Sequence, residues 1–322
     1  MSAEATADIE RIVDICGRPV RVRVHGEGHP VLLINGLGAN VATWTPLVDQ
    51  LPGFQLICFD APGTGRSKSP AWPYRIAHIA EVARRVLDEV GVERADVLGY
   101  SLGGAVAQQL AYQEPERVRR LILVSSSCGI GQIPGPLRAA FAVMTPARHY
   151  AKPAHRAAMR LVGLAPAEKD LHISELIAGW HQQASPSVMG YTLQVTAFSA
   201  FHSLPWLHRI TQPTLVISGT DDNLMPMANS AVLATYLGNA RLHIVERWGH
   251  YLLHNAASGA AATIADFFGA ASHDASSAWR NARTVNREDL PEFLQTAPRS
   301  AHLGSFTNGY VRALFPPKRS AG

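Results

Sequence analysis

Gly99-Tyr100-Ser101-Leu102-Gly103-Gly104 is the stretch whose reading decides the fold of this chain. Ala95-Asp96-Val97-Leu98 before it is short and mostly apolar, the pattern of a buried strand. Ala105-Val106-Ala107-Gln108-Gln109-Leu110-Ala111-Tyr112 after it is rich in strong helix formers. A Gly-x-Ser-x-Gly run between a strand and a helix is a nucleophile elbow. The turn is so tight that neighbouring positions carry almost no side chain, which accounts for Gly99 and Gly103. It lifts the Ser101 hydroxyl clear of the sheet and aims the positive start of the helix at it. A chemically idle Gly/Ser turn shares this pattern, so the reading depends on partners elsewhere.

A serine hydroxyl is a poor nucleophile at neutral pH and needs a base within hydrogen-bond reach. The chain order for such a site is Ser, then Asp, then His. Ala240 to Val245 reads as a last strand, and Glu246-Arg247-Trp248-Gly249-His250 follows it directly, so His250 is the candidate base. Thr220-Asp221-Asp222-Asn223-Leu224-Met225-Pro226 follows the strand Gln212 to Gly219. Asp222 is the expected partner of His250, and Asp221 is its rival. Asp222 is preferred because a loop leaving Gly219 needs a few residues to turn toward the histidine. His25, His29, His243 and His254 read as surface or internally satisfied histidines.

The other strands are legible from their apolar runs. Val20 to His25 alternates, as a half-exposed strand does, while Pro30-Val31-Leu32-Leu33-Ile34 is continuous, as in a strand covered on both faces. Phe54 to Asp60 and Val118 to Val124 read as further strands. Ile76, Ile79, Ala80, Ala83, Val86, Leu87 and Val90 recur at helical spacing. Alternating strands and helices predict an α/β fold with a mostly parallel sheet, helices on both faces and a site at the strands' C-terminal ends. Asn35-Gly36-Leu37-Gly38-Ala39-Asn40 follows a buried strand. Its glycines let a backbone N–H point at developing negative charge, so Leu37 is the first expected oxyanion donor and Leu102, after the nucleophile, the second.

The alternation stops between Gly129 and about Pro205, where helices are expected over Leu137 to Met144, Leu171 to Trp180 and Gly190 to Phe201. An insertion after the sixth strand reads as a helical lid over Ser101. Most of its many apolar side chains should pack on the body, and the others line an apolar channel. Phe141, Trp180 and Phe198 are its candidate substrate contacts, with Asn35 and Tyr100 from the body. The expected organisation is an α/β core over 1–128 and 206–269, a lid over 129–205 and a polar tail over 270–322. A partly disordered tail is the default, and docking on a partner the sharper alternative.

Composition excludes several classes. Of the 322 residues 47% are hydrophobic and 17% charged, ordinary for a chain with a large core, and the net charge is +4. No dense basic run lies outside the tail, which argues against nucleic acid as the main partner. The three cysteines lack metal-ligand spacing and read as thiols of a reducing compartment. No run of about 18 apolar residues and no signal-peptide core occurs, so the expectation is a cytoplasmic chain without a transmembrane segment. No metal and no organic cofactor is called for.

These residues together resemble the α/β-hydrolase superfamily. Within it the chain is similar to intracellular depolymerases of medium-chain-length polyhydroxyalkanoates. Asn35-Gly36 stands where most relatives carry His-Gly, and the Asn-Gly form is typical of that group. Pro146-Ala147-Arg148-His149-Tyr150 and Trp206-Leu207-His208-Arg209-Ile210-Thr211-Gln212-Pro213-Thr214-Leu215 also look like it, and the resemblance spans roughly residues 20 to 268. Tyr100 and Leu102 depart from the valine and tryptophan expected there, and the long tail is not a family feature. The resemblance implies a serine hydrolase that cleaves carboxylic ester bonds of a hydrophobic polyester through an acyl-enzyme, releasing 3-hydroxy acids at a storage-granule surface. A carboxylesterase, a lactonase or a C–C bond hydrolase on a soluble molecule stays open, as does a non-catalytic receptor on the same fold.

Overall fold

The computed structural model describes residues 8–70, 72–162, 164–169 and 184–295. Eight strands form one sheet in the order β1-β2-β4-β3-β5-β6-β7-β8. They are β1 (Asp8–Asp14), β2 (Pro19–His25), β3 (His29–Ile34), β4 (Phe54–Phe59), β5 (Ala95–Tyr100), β6 (Val118–Val124), β7 (Thr214–Gly219) and β8 (Ala240–Val245). β1, β2 and β4 pair antiparallel, and every pairing from β4 through to β8 is parallel. β5 and β7 are buried at every position, which is why their sequences are mostly apolar without alternation, Asp96 of β5 being held by Arg119 at 2.5 Å.

β1 is absent from the sequence expectation. Asp8-Ile-Glu-Arg-Ile-Val-Asp14 has no period of two, because only Val13 is buried. Ion pairs hold this edge strand instead: Arg21 to Glu10 at 2.6 Å and Arg23 to Asp8 at 2.7 Å. Charged side chains also keep such an edge from pairing with another chain.

Helices cover both faces, each over its own apolar cluster. On one side lie α1 (Ile76–Val90) and α2 (Leu102–Gln113), burying Ile79, Ala83, Leu87, Val106 and Leu110. On the other, Trp44 and Leu47 pack with Ile264, Phe267 and Phe268. Between β6 and β7 come α3 (Leu137–Met144), α4 (Lys152–Val162), a single turn Pro166–Lys169 and α5 (Val188–Ser199). The expected helix over Leu171 to Trp180 lies outside the described residues. α4 was not expected, although its moment is strongly one-sided in the sequence: His155, Ala158, Met159 and Val162 are its buried side.

α6 (Met227–Tyr236) follows β7, and α7 (Ala260–Gly269) follows the His250 loop. The chain does not turn into a loose tail after α7. α8 (Ser277–Asn281) and α9 (Leu290–Gln295) pack on the body, with Trp279 stacked on Phe267 at 5.7 Å between ring centres. Leu290 and Phe293 are buried as well. Residues 270–295 therefore continue the body beyond the expected boundary at 269, because widely spaced apolar anchors tie down an otherwise polar stretch. Residues 296–322 lie outside the described residues. Among the described residues, no helix is long and apolar enough to cross a membrane.

Candidate active site

Ser101 sits between β5 and α2 at φ 55° and ψ −120°, a backbone conformation that side-chain-bearing residues rarely adopt. Its N–H donates to the Val124 carbonyl at 2.9 Å, and its carbonyl accepts from Gly104 at 2.9 Å, which fixes the bend from both sides. The glycines are steric necessities. A Cβ at Gly99 would lie 2.4 Å from the Gly103 carbonyl oxygen, and one at Gly103 would lie 2.0 Å from that of Ile34.

His250 reaches the serine from the loop after β8. Its Nε2 lies 3.2 Å from the Ser101 Oγ, and its Nδ1 lies 2.9 Å from Oδ2 of Asp222. Asp222, and not its neighbour Asp221, meets the imidazole. Oδ1 of Asp222 also accepts from the backbone N–H groups of Leu224 (2.9 Å) and Met225 (2.8 Å), so the turn after β7 holds the carboxylate in place. Asp222 and His250 are both buried. A carboxylate on Nδ1 fixes the tautomer that leaves Nε2 free to accept the serine proton.

The loop Asn35 to Asn40 closes over the serine from the β3 side. A Cβ on Gly36 would lie 3.2 Å from that of Ser101, so the backbone passes close to the hydroxyl. Leu37 on that loop and Leu102 at the start of α2 line the same cavity of about 260 Å³ as Ser101 and His250. The first N–H groups of a helix have no partner within it, which makes this corner suited to a negative oxygen.

The expected substrate contacts divide. Tyr100 and Phe198 line the cavity. Tyr100 donates to the His250 carbonyl at 2.9 Å, and burial pushes its phenol well above the ordinary value, so it stays protonated. Phe141 does not line the cavity; it is 69% exposed on the outer side of α3. Asn35 does not line it either. Its Nδ2 donates to the Asn40 carbonyl at 2.9 Å, bracing the loop from beneath. An apolar or polar residue type alone does not tell the inner from the outer side of an element. Trp180 lies outside the described residues.

Two charged residues at the site were not among the expected site residues, although Arg148 lies in the segment Pro146 to Tyr150 that carries part of the resemblance. Glu168, on the turn Pro166–Lys169, is buried. Its Oε1 accepts from the N–H of Gly249 (3.1 Å) and of Tyr251 (2.8 Å), the residues on either side of His250, and its Oε2 accepts from Ala165 (3.0 Å). Burial raises its pKa, backbone hydrogen bonds oppose that, and the charge of Asp222 adds to it. Arg148, beside α3, lines the cavity with its guanidinium against Tyr191. Burial also pulls His254 down to about 4, so this cavity-lining imidazole is neutral at pH 7.

Comparison with known proteins agrees with this arrangement. The profile of the alpha/beta hydrolase fold family matches residues 29–161 and 179–257, taking in Ser101, Asp222 and His250. The chain belongs to the α/β-hydrolase fold family. A poly(3-hydroxyalkanoate) depolymerase of Ectopseudomonas oleovorans is 36% identical over 269 residues, covering 80% of this chain and 92% of that protein. A putative carbamate hydrolase of Azorhizobium caulinodans is 33% identical, covering 70% of this chain and 85% of its own. A hydrolase of Pseudomonas aeruginosa superposes with a TM-score of 0.67 at 25% identity, covering 84% of this chain and all of that one. As an α/β-hydrolase the chain carries its Ser-His-Asp line where the strands of the parallel sheet end.

Proposed function

We propose that the protein is a serine hydrolase of carboxylic esters and that its substrate is a poly(3-hydroxyalkanoate). The observation that carries the reading is the hydrogen-bonded line Ser101–His250–Asp222 opening onto a largely apolar cavity. Ser101 Oγ attacks the ester carbonyl while His250 Nε2 takes its proton, and Asp222 stabilises the resulting imidazolium. The backbone N–H groups of Leu37 and Leu102 hold the oxyanion. The C–O bond breaks, His250 returns the proton to the leaving alcohol, and the acyl group stays on Ser101. Water, deprotonated by His250, then releases the acid and restores the serine.

The polyester is supported by the 36% identical depolymerase and by the described residues within 129–205, the segment we read as the lid. Val143, Met144, Val195 and Phe198 give the cavity apolar walls for a medium-length acyl chain. On the outside, Leu137, Phe141, Val188 and Met189 are each more than half exposed. Exposed apolar side chains gathered on one segment suit a water-insoluble partner, here the polymer of a granule inside the cell. The carbamate hydrolase at 33% identity favours a second reading, a soluble small ester or amide-like substrate.

A p-nitrophenyl ester series combined with a polyester emulsion decides between them. Activity peaking near eight carbons together with clearing of the emulsion is the expected result. Activity confined to short esters, without clearing, refutes the polyester.

A further inference from the structure

The cavity at Ser101 contains one fixed charge. Its lining includes no aspartate or glutamate among the described residues, His254 is neutral, and the single guanidinium is that of Arg148. Arg148 is 9% exposed. Both of its hydrogen bonds leave from Nη2, a long one of 3.4 Å to the Leu37 carbonyl and one of 3.2 Å to the Tyr191 hydroxyl. Its Nε is buried with no partner among the described residues. Its Cζ lies 5.9 Å from the centre of the Tyr191 ring, a contact that orients the fork but does not neutralise it. No ion pair to it is found among the described residues.

A buried guanidinium without a carboxylate is costly to keep, and its planar fork is built for a bidentate anion. The contact to Leu37 places that fork beside the expected oxyanion loop, at the reacting end of the cavity. Resting on the ester-hydrolase reading above, we propose that Arg148 is an anion subsite that binds the free carboxylate of a hydroxyalkanoate chain end on the leaving-group side of Ser101.

The chemistry of the polymer suits this placement. In the last ester of a poly(3-hydroxyalkanoate), the alcohol oxygen is borne by a 3-hydroxy acid whose own carboxylate is free, separated from that oxygen by a short carbon bridge. With this carboxylate on Arg148, the ester carbonyl meets Ser101. The Ser101 Oγ–acyl bond forms, the C–O bond to the terminal unit breaks, and the proton carried by His250 passes to the departing 3-hydroxyl. The products of that step are one free 3-hydroxy acid and the shortened chain as acyl-enzyme, which water then releases with a new free carboxylate. The enzyme thus shortens chains from the carboxyl end.

The test compares the dimer of 3-hydroxyoctanoic acid with its methyl ester, following release of monomer by chromatography. The wild type is expected to show kcat/KM for the free acid about 10-fold or more above that for the methyl ester, the range of a charge-assisted hydrogen bond. Arg148→Gln is expected to bring the ratio near one, and Arg148→Lys to retain part of it. If Arg148 only braced Leu37 and Tyr191, Arg148→Gln would slow both substrates alike, and an unchanged ratio overturns the proposal. A second measurement needs no variant: 3-hydroxyoctanoate should inhibit hydrolysis of p-nitrophenyl octanoate by the wild type, and 3-hydroxyoctanamide should do so about 10-fold more weakly. Equal inhibition by acid and amide overturns the subsite even where a polyester emulsion is cleared. Acid-selective inhibition without clearing supports the subsite and counts against the polyester alone.

Discussion

Removing Glu168 tests whether the segment between β6 and β7 positions the base. Its carboxylate holds three buried N–H groups, of Ala165, Gly249 and Tyr251. Each buried donor left unpaired costs about 1–3 kcal/mol. Glu168→Ala therefore has a ceiling of several kcal/mol, and relief from burying a charge offsets part of it. An outcome of about 3 kcal/mol is expected, lowering Tm by roughly 4–5 °C for a chain of this size. Glu168→Gln keeps an acceptor for Gly249 and Tyr251 but sets its amide against the Ala165 N–H, for a loss of about 1 kcal/mol.

The catalytic effect should be larger than the structural one. Two of the three bonds flank His250, and a displacement of about 1 Å costs on the order of 10²-fold in rate. At 25 °C, well below either Tm, Glu168→Ala should thus lose about 10²-fold in kcat with little change in KM, and Glu168→Gln much less. The pH dependence supplies a separate check. The native pKa of Glu168 is raised above its usual 4.5, so above 4.5 the native state holds more protons than the unfolded chain. Its contribution to stability is whole below that value and declines as pH climbs through the raised one. Glu168→Gln should flatten this decline in a series of thermal melts from pH 4 upward. Wild-type kcat in Glu168→Ala would refute the positioning role.

Two further outcomes follow from single contacts. Asp222→Asn should fold normally but lower kcat by roughly 10⁴, because the amide favours the wrong tautomer of His250; ester hydrolysis and a circular dichroism melt on the same sample check both halves. Trp279→Ala removes the ring stacked on Phe267 and beneath Arg241, so stability should fall by about 3–5 kcal/mol while activity at 25 °C is kept, and a denaturation curve unchanged from wild type would show that residues 270–295 add nothing.

Much of the architecture was legible because it rests on local, repeated signals. The continuous apolar run of β3, the largely apolar stretches of β4 to β7 and the small-residue demand at Gly99 and Gly103 each report a steric condition that few other structures satisfy. His250 and Asp222 were legible for a related reason, since each follows directly on a readable strand. What was not legible depends on distant partners. β1 is held by ion pairs to β2 and Arg66 rather than by a buried face, and a strand held that way has no period. The anchoring of Trp279 needs Phe267 and Arg241 to be in place first. Phe141 and Phe198 are alike in sequence, yet one faces out and the other lines the cavity. Glu168 left no sign in the sequence, and Arg148 stood only inside a segment quoted for its resemblance, because what a charged side chain meets is settled only when the rest of the fold encloses it.

The central claim is that the Ser101 hydroxyl, activated by His250, forms the covalent bond to the acyl group. Its most direct test is mass spectrometry of the protein after treatment with a fluorophosphonate, alongside the residual p-nitrophenyl octanoate activity. One phosphonyl group on Ser101, appearing in step with the loss of hydrolysis and almost absent in His250→Ala, is the expected result. Label on another residue, or hydrolysis that persists once Ser101 is fully modified, would contradict it.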